Sequence, residues 1–189
     1  MSKAVLFFAD GTEECEALLV ADLLRRARVE VIIASAMGRR ALVSSHGIHL
    51  NADALAEDVD YSDVDMVILP GGIPGTPNLA ENKTVTDTCV SFAKAGKKVA
   101  AICAAPIVLA KAGLVRDRNV TAYPAQDVYR ELNEAGAHIV KDENVVLDGN
   151  MLTANGPGAA MLFGYSIGEY LGEDLQVAQL KEQMCYTGL

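Results

Sequence analysis

Residues 84–106, TVTDTCVSFAKAGKKVAAICAAP, read in order as a helix, a strand and a turn into another helix. The pattern over 84–95 is helical and carries Cys89 on its packing side; 98–102 is a short apolar run of strand type; 105–112 is helical again. The same alternation extends to both ends of the chain. Strands are predicted at 4–9, 29–36, 66–70, 119–122, 144–147 and 151–154, and helices at 13–27 and 159–171. A small hairpin is predicted around His46-Gly47, within 42–50. Short loops between alternating strands and helices specify an α/β domain with a doubly wound, mostly parallel sheet. With no repeat, low-complexity tract or linker, residues 1–189 read as one domain.

Composition narrows the function classes. Half of the 189 residues are hydrophobic, and there are six Tyr, four Phe and no Trp, so the core is built from Ala, Val, Leu and Ile, as buried parallel sheets are. A net charge of −9 without a basic cluster repels phosphate backbones, and no nucleic-acid partner is expected. No apolar stretch approaches the ~20 residues of a membrane span, and the N-terminus does not read as a signal peptide, so a cytoplasmic protein is expected. Cys15, Cys89, Cys103 and Cys185 are scattered without a Cys-x-x-Cys pair and are expected as free thiols. His46 and His49 have no acidic or thiol neighbour in sequence, so no metal site is expected.

Ligands of an open parallel sheet gather where strands end and helices begin. The four informative tips are Asp10-Gly-Thr-Glu-Glu-Cys-Glu16, Pro70-Gly-Gly-Ile-Pro-Gly75, Cys103-Ala-Ala-Pro106 and Asn155-Gly-Pro-Gly158, expected to converge on one sheet edge. Cys103 stands at a strand-to-helix junction with Ala two before and two after, as a strained nucleophile elbow requires. A helix starting at Cys103 would favour its thiolate through free N–H groups and the positive dipole end. The same small flanks also suit a buried cysteine that caps the sheet.

Thr12 is placed to cap the first helix, and Glu13 and Glu14 suit its dipole. Glu16 is different. It shares a helical face with Val20, Leu23, Leu24 and Ala27, where a carboxylate is costly unless protonated or hydrogen-bonded. A protonated Glu16 donating to Cys103 would satisfy both groups; a Glu16 at the rim, reaching water, is the plainer alternative. The glycines Gly71 and Gly72 let backbone approach a ligand, and the N–H groups of Gly72 and Ala104 could form an oxyanion hole. No Gly-x-Gly-x-x-Gly or phosphate loop is present, so no nucleotide cofactor is indicated.

Together, Glu13-Glu-Cys-Glu16, Leu69-Pro-Gly-Gly72, Ala100-Ala-Ile-Cys-Ala-Ala-Pro106 and Gly156-Pro-Gly158 resemble the ThiJ/PfpI superfamily in its DJ-one branch, in the right order along nearly the whole chain. The resemblance implies a flavodoxin-like (class I glutamine amidotransferase-like) sandwich, a homodimer, and a reactive cysteine paired with a protonated glutamate, matching Cys103 and Glu16. Gly72 and Ala104 match the oxyanion amides, and Gly71, Tyr123 and Asn155 match the substrate pocket. Two positions depart from the family pattern: Tyr123 replaces a frequent His, and Asn155 a frequent Arg or Gln. Ala104 follows the nucleophile where protease-like relatives carry His, so peptide hydrolysis is not expected.

The resemblance implies a glyoxalase or deglycase that needs no cofactor, acting on methylglyoxal or on its adducts with proteins and amino acids. The alternative is an oxidative-stress sensor or protective protein, in which Cys103 cycles through oxidised states and Glu16 steadies the sulfinate.

Overall fold

The computed structural model describes residues 1–188. In chain order the strands are β1 (Lys3–Phe8), β2 (Glu30–Ser35), β3 (Ala41–Val43), β4 (His49–Asn51), β5 (Ala54–Leu55), β6 (Met66–Leu69), β7 (Lys98–Ile102), β8 (Asn119–Val120), β9 (His138–Ile139), β10 (Val145–Asp148) and β11 (Met151–Ala154). The helices are α1 (Val20–Arg26), α2 (Gly75–Glu81), α3 (Lys83–Lys94), α4 (Pro106–Lys111), α5 (Gln126–Glu134), α6 (Ala160–Tyr170) and α7 (Asp174–Gln183).

Seven strands form one sheet in the order β10-β11-β7-β6-β1-β2-β5, parallel except for the β10–β11 pair. That pair is antiparallel because only Gly149 and Asn150 join its strands, a connection far too short for a parallel crossover. The period-2 alternation of buried strands serves both faces. Val5 and Phe7 of β1, with Val67 and Leu69 of β6, pack on the side of α3, α4 and α5. Ala4, Leu6 and Phe8, with Met66 and Ile68, pack against α1 and α6 on the other side. The architecture is the expected doubly wound α/β sandwich.

From β1 the chain passes to β2 on one side and later to β6 on the other, so the topological switch point lies between β1 and β6. Strands β11, β7, β6 and β1 are consecutive neighbours running the same way, which brings their four tips to one edge.

Four local features differ from the sequence reading. The helix expected over 13–27 opens with a π-helical turn, Cys15–Leu19, before α1, and this wide turn buries the consecutive residues Glu16 and Ala17. Thr12 does not cap it; the Thr12 hydroxyl accepts the Ala9 N–H at 3.0 Å and closes the loop back on β1. The predicted strand at 119–122 stops at Val120 and pairs with β9 outside the main sheet, because the Thr121 N–H turns to the Thr153 hydroxyl at 2.9 Å. Finally, helix α2 starts at Gly75, in a stretch to which sequence reading assigns no element. The hairpin at His46-Gly47 forms as β3 and β4.

Candidate active site

Cys103 follows β7 with φ +64°, a left-handed conformation that costs a non-glycine residue about 1 kcal/mol or more. Its neighbours hold it there. The Cys103 N–H donates to Ala154 O at 2.9 Å, and its carbonyl accepts the Tyr123 N–H at 2.9 Å. Strand β11 and the segment after β8 therefore impose the elbow, and the small side chains of Ala101 and Ala105, both fully buried, leave room for it.

Glu16, in the π-helical turn after β1, is 0 % exposed. One carboxyl oxygen, Oε2, accepts the Gly71 N–H at 2.8 Å. The other, Oε1, has no hydrogen-bond partner among the described residues, and the carboxyl lies beside the Cys103 thiol, the two groups flanking Gly71. Burial pushes the Glu16 carboxyl from 4.5 up to about 7, against the lowering pull of Cys103 and of the Gly71 N–H. A proton held on Oε1 satisfies the orphaned atom and supplies a donor to sulfur.

The loop after β6 fits around this pair. A Cβ on Gly71 would lie 2.7 Å from Glu16 Oε2 and 2.8 Å from Cys103 Cβ, so only glycine lets its N–H reach the carboxylate. Gly72 takes φ +93°, and a Cβ there would strike the Glu13 N at 2.4 Å. This conformation turns the Gly72 N–H toward the Cys103 sulfur, alongside the N–H of Ala104. Glu13 supports the assembly from behind: its N–H donates to Gly71 O at 3.0 Å, and its carboxylate accepts the Glu16 N–H at 2.8 Å. Sequence reading assigns Glu13 to the helix dipole alone; the contact with Gly71 exists only once β1 and β6 are neighbours.

The expected thiolate stabilisation by a helix starting at Cys103 is corrected. Helix α4 begins at Pro106 and has six residues. Burial raises the Cys103 pKa, followed by the charge of Glu16, while the Ala104 and Gly72 N–H groups pull it down. A proton on Glu16 removes the repulsive charge, so the two groups titrate as a pair.

The remaining site residues divide. Tyr123 is 46 % exposed and lines a cavity of about 420 Å³ that also touches Gly72, Cys103 and Ala104. Asn155 does not line it; its side-chain amide donates to Asn144 Oδ1 at 2.9 Å, which fixes it toward β10. Gly71 acts on Glu16 and is no cavity wall. The cavity's other walls, Thr76 and Ile107 among them, come from α2, α4 and α5, and sequence reading missed them. Ile107 is the second residue of α4, four positions after Cys103, and that closeness in sequence could have flagged it.

The other thiols separate by burial. Cys89 is buried in α3 with its thiol pushed up to about 12 by burial, while Cys15 and Cys185 are exposed, so Cys15 has no core role. His46, expected without an acidic partner, meets Glu14 through Nδ1 at 2.8 Å, because the hairpin folds over the π-helical turn. Ligand atoms of Glu13, Glu14 and His46 lie within 4.8 Å of one another, but the Glu14 carboxylate is already engaged by His46 and by the Ser45 hydroxyl at 3.0 Å.

A buried thiol at a left-handed elbow, beside a buried glutamate and two backbone amides, agrees with what the family comparison finds: the DJ-1/PfpI family model matches residues 2–169. The chain belongs to the DJ-1/PfpI family. It is 37% identical over 181 residues to Drosophila melanogaster protein dj-1beta, covering 95% of each chain. It is 30% identical over 184 residues to the Caenorhabditis elegans glutathione-independent glyoxalase DJR-1.2, covering 97% of this chain and 96% of that one. The crystal structure of Drosophila melanogaster DJ-1beta superposes with a TM-score of 0.93 at 35% identity over the full length of both chains. These relatives share the flavodoxin-like DJ-1/PfpI fold. Among the described residues, no helix is long and apolar enough to cross a membrane.

Proposed function

We propose that this DJ-1/PfpI protein is a cofactor-independent glyoxalase or deglycase, with Cys103 as nucleophile and Glu16 as acid and base. The observation that carries the reading is the Glu16–Cys103 pair: a fully buried carboxyl, poised near neutral pH, beside a thiol at a strained elbow. Similarity to a relative named as a glyoxalase supports the same chemistry.

In this mechanism the Cys103 sulfur adds to the aldehyde carbon of a 2-oxoaldehyde, forming a C–S bond and a hemithioacetal. The Gly72 and Ala104 amides hold the oxygen that gains charge. Glu16 then removes the proton from that carbon and returns one to the neighbouring carbon. The former aldehyde carbon ends as a thioester, oxidised, and the former ketone as an alcohol, reduced. Water cleaves the thioester, releasing the 2-hydroxy acid and restoring the thiol. No external oxidant or reductant enters. For an adduct on an amine or thiol, the bond from the adduct carbon to that nitrogen or sulfur breaks first, releasing the amine or thiol and restoring the aldehyde to which Cys103 adds, and the same steps follow. Tyr123, at the cavity edge, is a hydrogen-bond donor to the substrate. We propose a cytoplasmic homodimer, as the family resemblance implies.

The oxidation-sensor reading uses the same cysteine and needs the same thiolate; a buried Glu16 carboxyl poised near neutral pH to give and take a proton favours the enzyme. The test is methylglyoxal consumption with lactate detection on freshly reduced wild type, Cys103→Ser and Glu16→Gln. Lactate from the wild type alone is expected. A fully reduced, folded wild type that makes no lactate and releases no glycated amine overturns the proposal.

A further inference from the structure

The cavity beside Cys103 is larger than the smallest 2-oxoaldehyde requires. At about 30 Å³ per small group, the share of one water in the liquid, the five heavy atoms of methylglyoxal fill roughly a third of its 420 Å³. Its polar end is formed by Gly72, Cys103 and Ala104. Away from the sulfur its walls are Ile73, Pro77, Ala80, Ile107 and Val128, drawn from the loop after β6 and from α2, α4 and α5. Ile107 and Val128 are buried, whereas Ile73 is 67 % exposed at the cavity mouth.

Three charged residues also line the cavity. Lys111 lies one turn beyond Ile107 on α4, and Asp127 and Glu131 lie one turn apart on α5. Lys111 and Asp127 are exposed, so the cavity opens to water beside them. The apolar section between sulfur and rim spans about one helical turn, ~5–6 Å.

We propose that this section holds the carbon chain of the substrate, so that the preferred substrates are straight-chain 2-oxoaldehydes of about five to eight carbons, with methylglyoxal a poor member of the series. The inference deepens the glyoxalase reading and rests on it for turnover, but the cavity's preference can be read without turnover. The aldehyde end meets Cys103 and the two amides, and the alkyl tail lies between Ile107, Val128 and Ile73. Each methylene moved from water into such walls strengthens binding by about fourfold.

Two measurements on the reduced full chain test this. First, kcat/KM is determined for methylglyoxal, 2-oxopentanal, 2-oxohexanal and 2-oxooctanal. A rise of about fourfold per added methylene over the first few is expected. Ala80→Phe, which fills the tail space, and Ile73→Ser, on an exposed site that tolerates substitution, should each lower the long-to-short ratio by tenfold or more. Second, the rates of alkylation by N-methyl-, N-butyl- and N-hexyl-iodoacetamide are measured at Cys103 by peptide mass spectrometry. The exposed Cys15 and Cys185 of the same molecule are internal references. Chain length should accelerate Cys103 selectively. If turnover is seen and kcat/KM is flat or falls with chain length, the inference is overturned and the glyoxalase reading stands. If no turnover is seen, the alkylation series decides: a gradient at Cys103 supports the apolar subsite and overturns only the reaction, and no gradient overturns the subsite.

Discussion

Replacing Glu16 by Gln changes one group at constant shape, and its consequence for stability has a definite sign. The carboxyl is fully buried and its pKa is raised from 4.5 in the unfolded chain to about 7 in the fold. The native state therefore holds this proton over a pH range in which the unfolded chain has released it. The stabilisation is fully present below about pH 4.5 and is lost as pH rises through about 7. The two values correspond to about 3 kcal/mol, at 1.36 kcal/mol per pH unit. Gln keeps a carbonyl to accept the Gly71 N–H and an amide to donate to Cys103, yet it has no proton to lose. Unfolding free energies of wild type and Glu16→Gln, from urea titrations at half-unit steps between pH 4.5 and 8, should therefore diverge with pH. The variant should gain about 3 kcal/mol relative to the wild type across that window. In a chain of this length the melting-temperature difference should shift by roughly 6–12 °C. Taking the difference removes the titration of every group not coupled to Glu16. A pH-independent difference, or one that moves in favour of the wild type as pH rises, would refute the protonated, desolvated Glu16 and the proton chemistry assigned to it.

Two further predictions concern the backbone around the thiol. Gly71→Ala places a Cβ against Glu16 Oε2 and Cys103 Cβ, so a stability loss of about 1–3 kcal/mol and a fall in kcat of about 100-fold are expected; unchanged melting and turnover would show that the loop yields freely. Cys103→Gly should be more stable than Cys103→Ala by about 0.5–1 kcal/mol in thermal melts, because glycine accepts φ +64° without strain; the reverse order would mean that the elbow relaxes when the thiol is removed.

Much of this molecule was legible in one dimension. Alternating apolar runs and helical patterns determine the doubly wound sheet, because a strand buried on both faces must be continuously apolar and each crossover needs a helix to cover it. Glu16 stood out as a carboxylate on an apolar stripe, and Cys103 as a thiol between small residues at a strand end; both signals are local. What the sequence could not carry is the sign of the Cys103 pKa, the support of Glu13 behind Gly71, the partnership of Glu14 with His46, the turning of Asn155 toward Asn144, and the apolar walls brought by α2, α4 and α5. Each depends on groups far apart in the chain that meet only through strand order and loop closure. Periodicity along the chain decides which side of an element is buried; desolvation and hydrogen bonding act through space, so only the tertiary structure decides what that buried side meets and whether its protons stay.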